Sequence, residues 1–118
     1  MAASAAFQDF VRDLLVGLGP LSIKRMFGGA GIFCGDAMIG LIADDTLYLK
    51  TDERLAEAYE AAGSEPFVYE AKGKTTVLSY WRLPDSAMDD PEEALGWARR
   101  SLVPAEAAAA KKRRSATG

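Results

Sequence analysis

Apolar residues recur at spacings of three and four over the first part of the chain: Phe7, Phe10, Val11, Leu14 and Leu18, with Gln8, Arg12 and Asp13 between them. That period predicts a helix with one apolar face, capped by Ser4 and ended by Gly17 and Gly19-Pro20. The simplest use of such a face is packing on the protein's own sheet; a docking surface for a partner helix is the alternative. The pattern then changes period. Residues 23–26 read as a short strand, Phe27-Gly28-Gly29 as a turn or bulge, and residues 30–34 and 37–43 as two strands rich in apolar residues, joined by the hairpin pair Gly35-Asp36. Asp44-Asp45 separates the second of these from residues 46–50, which makes a three-strand meander.

A second helix follows. Thr51 is the predicted N-cap, Asp52 and Glu53 favour the positive end of the helix dipole, and Leu55, Ala58, Tyr59 and Ala62 fall on one face before Gly63 at the C′ position. Residues 67–70 and 75–81 then read as two strands around Lys72-Gly73-Lys74. Alternation puts Thr76, Leu78 and Tyr80 on one face of the later strand and Thr75, Val77, Ser79 and Trp81 on the other, so both faces hold apolar groups. Asp90-Pro91-Glu92-Glu93 is a helix start, with Glu93 placed to complete a capping box, and Ala94, Leu95, Trp97, Ala98 and Leu102 supply the apolar stripe. Pro104 is expected to interrupt that helix. The expected fold is α+β: an antiparallel meander of about five or six strands with an N-terminal, a middle and a C-terminal helix. Residues 1–104 form the expected domain; after Pro104 residues 105–110 can restart a helix that frays into residues 111–118, and residues 105–118, rich in alanine and then basic, are an expected disordered tail.

Several of these segments carry a recurring set of residues. Arg25-Met26-Phe27-Gly28-Gly29, Gly31-Ile32-Phe33, Gly35, Met38, the run from Asp44-Asp45 through Lys50-Thr51-Asp52, Pro66-Phe67-Val68-Tyr69 and Ser79-Tyr80-Trp81-Arg82-Leu83-Pro84 together resemble the TfoX N-terminal domain family. The motifs run in order from Arg25 to about Trp97. The resemblance implies the family's fold and a small regulatory role of the competence-regulator kind, in a single-domain form lacking the regulator's C-terminal domain.

Composition adjusts this picture in three ways. With 118 residues the chain is expected to be one domain, and its single cysteine excludes an internal disulfide. The N-terminus lacks the basic start and continuous apolar core of a signal peptide, and no apolar run reaches the roughly 20 residues of a spanning helix, so a bacterial cytoplasmic protein with no membrane contact is expected. The formal net charge of −3 conceals an uneven distribution, because Lys111-Lys112-Arg113-Arg114 supplies four cations and leaves residues 1–110 at −7. An acidic body repels nucleic-acid phosphates, whereas the cationic tail predicts at most a weak, salt-sensitive and sequence-independent contact with them.

The inventory of reactive groups argues against catalysis. There is no histidine, hence no histidine base, triad or metal ligand, and Cys34 has no second cysteine to form a redox pair or thiolate site. Asp44-Asp45, Asp52-Glu53 and Asp89-Asp90 have turn or capping roles and lack the spacing of a calcium loop. No cofactor or metal is expected. The expected function is therefore a non-catalytic regulatory or protein-interaction module. Its candidate surface is a basic and aromatic edge formed by Lys24, Arg25, Phe27, Tyr80, Trp81 and Arg82. Two alternatives remain open: nucleic-acid binding through Lys111 to Arg114, and an anion or metabolite sensor in which the amides of Gly28 and Gly29 cradle a ligand beside Lys24 and Arg25. The glycines lack the order of a dinucleotide or phosphate-binding loop. Two-sided apolar strands suit either a monomer or a homodimer.

Overall fold

The computed structural model describes residues 3–26 and 28–117. Helix α1 (Ala5–Leu14) begins at Ser4, whose side chain accepts from the Phe7 amide at 3.1 Å, as its sequence position predicts. It ends earlier than the apolar spacing suggests. Leu18 falls in a separate 3₁₀ turn, Val16–Leu18, and Phe10 is 39% exposed while Val11, Leu14 and Leu15 are buried.

Strands β1 (Ser22–Met26), β2 (Gly29–Cys34), β3 (Ala37–Ala43) and β4 (Thr46–Lys50) form the meander, helix α2 (Glu53–Ala61) crosses over, and β5 (Pro66–Ala71) and β6 (Lys74–Arg82) form a hairpin. All six strands join one antiparallel sheet in the order β1-β2-β3-β4-β6-β5. The turns obey local chemistry. Gly35 has φ 65° in the two-residue β2–β3 connection, and Asp44 and Asp45, at φ 52° and 50°, adopt the paired left-handed conformation of a tight hairpin turn.

The cap of α2 is displaced by one residue from its predicted place. Asp52, not Thr51, accepts from the Leu55 amide at 2.8 Å; Thr51 is buried and donates its hydroxyl to the Ser79 carbonyl on β6. A short helix α3 (Asp85–Met88) precedes α4 (Pro91–Thr117). Asp90 caps α4 through the amides of Glu92 and Glu93, but the Glu93 carboxylate turns to the Ser86 hydroxyl and the Trp97 indole instead of closing a capping box.

The largest departure from the sequence reading is the C-terminal segment. Pro104 does not interrupt α4, which continues through residues 105–117 instead of restarting over 105–110 and fraying. Proline removes one backbone donor, a loss that tertiary packing outweighs here: Ala105 is 1% exposed and Ala109 packs against the core. The core lies between the helices and one sheet face, where Ile32, Ile39, Ile42, Leu47 and Leu49 meet Val11, Leu15, Leu55, Ala94 and Ala98. Each buried large aliphatic side chain contributes about 1.5–3 kcal/mol relative to exposure.

Candidate functional site

Because side chains alternate along strands, the sheet has a second face, and among the described residues no helix lines the groove that opens there. The groove has a volume of about 380 Å³ and is lined entirely from strands: Met26 of β1, Gly29 and Ala30 of β2, Met38, Leu41, Ile42 and Ala43 of β3, Phe67 and Tyr69 of β5, and Leu78 and Tyr80 of β6. Gly29 belongs to its floor for a steric reason. A Cβ there would stand 2.1 Å from the Ile42 carbonyl oxygen, so only glycine lets β2 approach β3 at this point.

Polar groups around the groove are few. The Tyr80 hydroxyl donates to the Met38 carbonyl at 3.4 Å, and the ammonium of Lys50 lies 5.0 Å from the centroid of the Tyr80 ring and 2.6 Å from the Ser79 hydroxyl oxygen. Burial pushes the Tyr80 phenol above its ordinary pKa and holds the Lys50 ammonium below its own. Tyr48, edge-on to Phe67 at 4.9 Å, is also raised, first by burial and then by Glu65, against an opposing effect of Arg82.

The structure divides the basic and aromatic residues that the sequence grouped as one edge. Lys24 and Arg25 lie on β1, an outermost strand, on opposite sheet faces, with the Lys24 ammonium 5.1 Å over the Phe33 ring. Lys24, Gly31, Leu41, Tyr48 and Arg82 form one row of paired residues across five strands. Four strand spacings therefore separate Lys24 from Arg82, about 19 Å. Tyr80 faces the groove, while its neighbour Trp81 lies on the helix side, 6.3 Å from Tyr59. Arg82 pairs with Asp85 at 2.8 Å.

Phe27 lies outside the described residues. Gly28 is exposed in the β1–β2 turn, but Gly29 is a buried residue of interior strand β2, paired with Met26 of β1 and packed close against the Ile42 carbonyl of β3. At the other end of the chain, Lys111, Lys112, Arg113 and Arg114 lie on the last turns of α4, and Arg113 pairs with Asp36. Among the described residues, no group of three or more histidine, cysteine, aspartate or glutamate side chains is placed to hold a metal. No described helix is long and apolar enough to cross a membrane.

Sequence reasoning did not assemble Met26, Met38, Leu41, Phe67, Tyr69 and Leu78 into a site. The available signal was the apolar content on both faces of β6, which marks a strand with more than one surface to cover.

Comparison with known proteins gives these features a context. The chain is 27% identical over 96 residues to the DNA transformation protein TfoX1 of Aliivibrio fischeri, a match that takes in 81% of this chain and 44% of that protein. It thus spans less than half the length of that curated relative. The family model described as the TfoX N-terminal domain matches residues 13–105, from the end of α1 through all six strands to the buried Ala105. With its fold, its glycine-built β2 and most of its length accounted for by that match, the chain belongs to the TfoX N-terminal domain family.

Proposed function

We propose that this protein is a non-catalytic regulatory module that works by contact with another protein, and that the contact is made at the outer edge of β1. One observation carries this reading: β1 ends the sheet, and it presents Lys24 and Arg25, both exposed and neither paired with a carboxylate among the described residues. An extended partner segment can extend such an edge by main-chain hydrogen bonds, and acidic side chains on it would answer the two cations. The same cations disfavour antiparallel pairing of β1 with a second copy of itself, because like charges would confront each other. The family supports a regulatory role, since the relative in Aliivibrio fischeri is named as a DNA transformation protein.

The test is a photo-crosslinking residue placed at Ser22 on β1, or at the exposed Glu57 on α2 as a control, in cells lacking the native copy. A discrete partner captured from Ser22, absent from Glu57 and lost in the Lys24→Glu/Arg25→Glu double variant supports the proposal. Capture that survives charge reversal, or no capture from β1, overturns it.

A further inference from the structure

We propose that the groove on the uncovered sheet face binds a small apolar monocarboxylate, of the fatty-acid or arylalkanoic-acid class, with its apolar body among Met26, Met38, Leu41, Phe67 and Leu78 and its carboxylate on the ammonium of Lys50. This site is distinct from the β1 edge and does not depend on the identity of any protein partner.

Size and lining fix the first half of the inference. A volume of about 380 Å³ falls within the range of small-molecule sites, about 300–1,000 Å³. The walls are methionine, aliphatic and aromatic side chains carried on strands, so the frame is fixed while Met26 and Met38 adapt their shape to the occupant. Water in such a groove finds few partners, and an apolar body displaces it favourably.

Charge fixes the second half. Tyr80 is at once a wall of the groove and the ring on which Lys50 rests, which brings an ammonium to within one ring of the apolar wall. Lys50 is only partly exposed, and among the described residues its partners are the Tyr80 ring and the Ser79 hydroxyl, with no carboxylate. A half-buried cation without a counter-ion carries a desolvation cost that an incoming anion relieves. A second copy of this chain is a poor occupant, since Lys24 and Lys50 both lie on this face and two such cationic faces brought together repel.

The test uses the full chain, with decanoate and decanol as probes below their aggregation limits, and follows binding by titration calorimetry and by the methyl signals of ¹³C-labelled methionine. The expected result is saturable one-to-one binding of decanoate, at least about tenfold tighter than decanol. The Met26 and Met38 methyls should shift while that of Met88, on α3, stays in place. Lys50→Met should bring the two probes to equal affinity, and Leu41→Trp, which fills the groove, should abolish binding of both. Absence of saturation, equal affinity of the two probes for the unaltered protein, or shifts that spare Met26 and Met38 would each overturn the proposal. The methionine readout needs no substitution, so it decides the location even if the tryptophan variant fails to fold.

Discussion

Arg113, near the end of α4, hydrogen-bonds the carboxylate of Asp36 in the β2–β3 turn, 77 positions earlier in the chain. The pair ties the basic C-terminal segment to the sheet, yet both side chains are more than half exposed. A surface pair of this kind contributes about 0–1 kcal/mol. Asp36→Asn is therefore expected to lower stability by less than about 1 kcal/mol, with the difference shrinking in high salt. Ala105→Glu places a charge where the structure leaves 1% exposure, and should displace the segment after Pro104. Far-ultraviolet circular dichroism separates the two: helicity is retained in the first variant and falls in the second.

Pro104 is a local cost that the rest of α4 tolerates. Replacing it by alanine restores a backbone donor inside a helix, and should raise the unfolding free energy by about 2 kcal/mol once the stiffer unfolded chain of the proline form is allowed for. Urea denaturation measures the difference. A loss of stability would mean that the proline ring itself packs productively.

Two glycines should respond to alanine in opposite directions. At Gly29 the new methyl group would meet the Ile42 carbonyl at 2.1 Å, a backbone atom held in the sheet, and a loss of about 1–3 kcal/mol is expected. At Gly96 on α4 an added Cβ meets nothing within 4 Å, so the gain in helix propensity should stabilise by about 0.5–1 kcal/mol. Thermal melts of the two variants against the unaltered protein test both signs.

Tyr59 is fully buried, 4.3 Å from the Trp97 ring, with its hydroxyl unpaired among the described residues and Ser101 nearby donating to the Trp97 carbonyl. Burial raises the phenol well above its ordinary value of 10.0. The unfolded chain therefore releases this proton near pH 10 while the folded protein keeps it, and stability must fall as the pH rises past that point. Tyr59→Phe is expected to remove this contribution, by up to about 1.4 kcal/mol per pH unit, and to leave stability at pH 7 unchanged or higher. Chemical denaturation at pH 7 and pH 11 supplies the comparison.

Duplex DNA provides a test of the basic helix end. The full chain is expected to bind weakly, with a logarithmic salt slope no steeper than about −4 for four cations, and a chain of residues 1–110 should not bind. Retention of affinity by residues 1–110, which carry a net charge of −7, would assign DNA contact to the folded body.

Local chemistry made much of the fold legible in the sequence. Ser4, Asp90 and the hairpin pairs Gly35-Asp36 and Asp44-Asp45 act through neighbours a few positions away, so the residue types alone located the starts of α1 and α4 and the turns between the meander strands. Period did the rest, because a change from spacings of three and four to alternation follows from backbone geometry. The cap of α2 was misplaced by one residue because Thr51 and Asp52 are both good caps, and only the contact of Thr51 with Ser79 on β6 separates them.

The candidate sites depended on long-range order that no local pattern carries. Nothing in the residues dictates that β6 inserts between β4 and β5, yet that order puts Tyr80 within reach of Met38 and Lys50, and sends Trp81 to the opposite face beside Tyr59. The same order separates Lys24 from Arg82 by three intervening strands. Residues 105–117 are the clearest case. Their composition reads as a short helix restarting over 105–110 and fraying into a solvated tail, and they instead continue α4 without a break because Ala105 and Ala109 find the core. The sequence by itself determined the main elements, the N-caps of α1 and α4 and the turns, each set by contacts within a few residues; the tertiary structure alone decided which strands became neighbours, which sheet face stayed uncovered and where the last helix ended, because those outcomes depend on burial between segments distant in the chain.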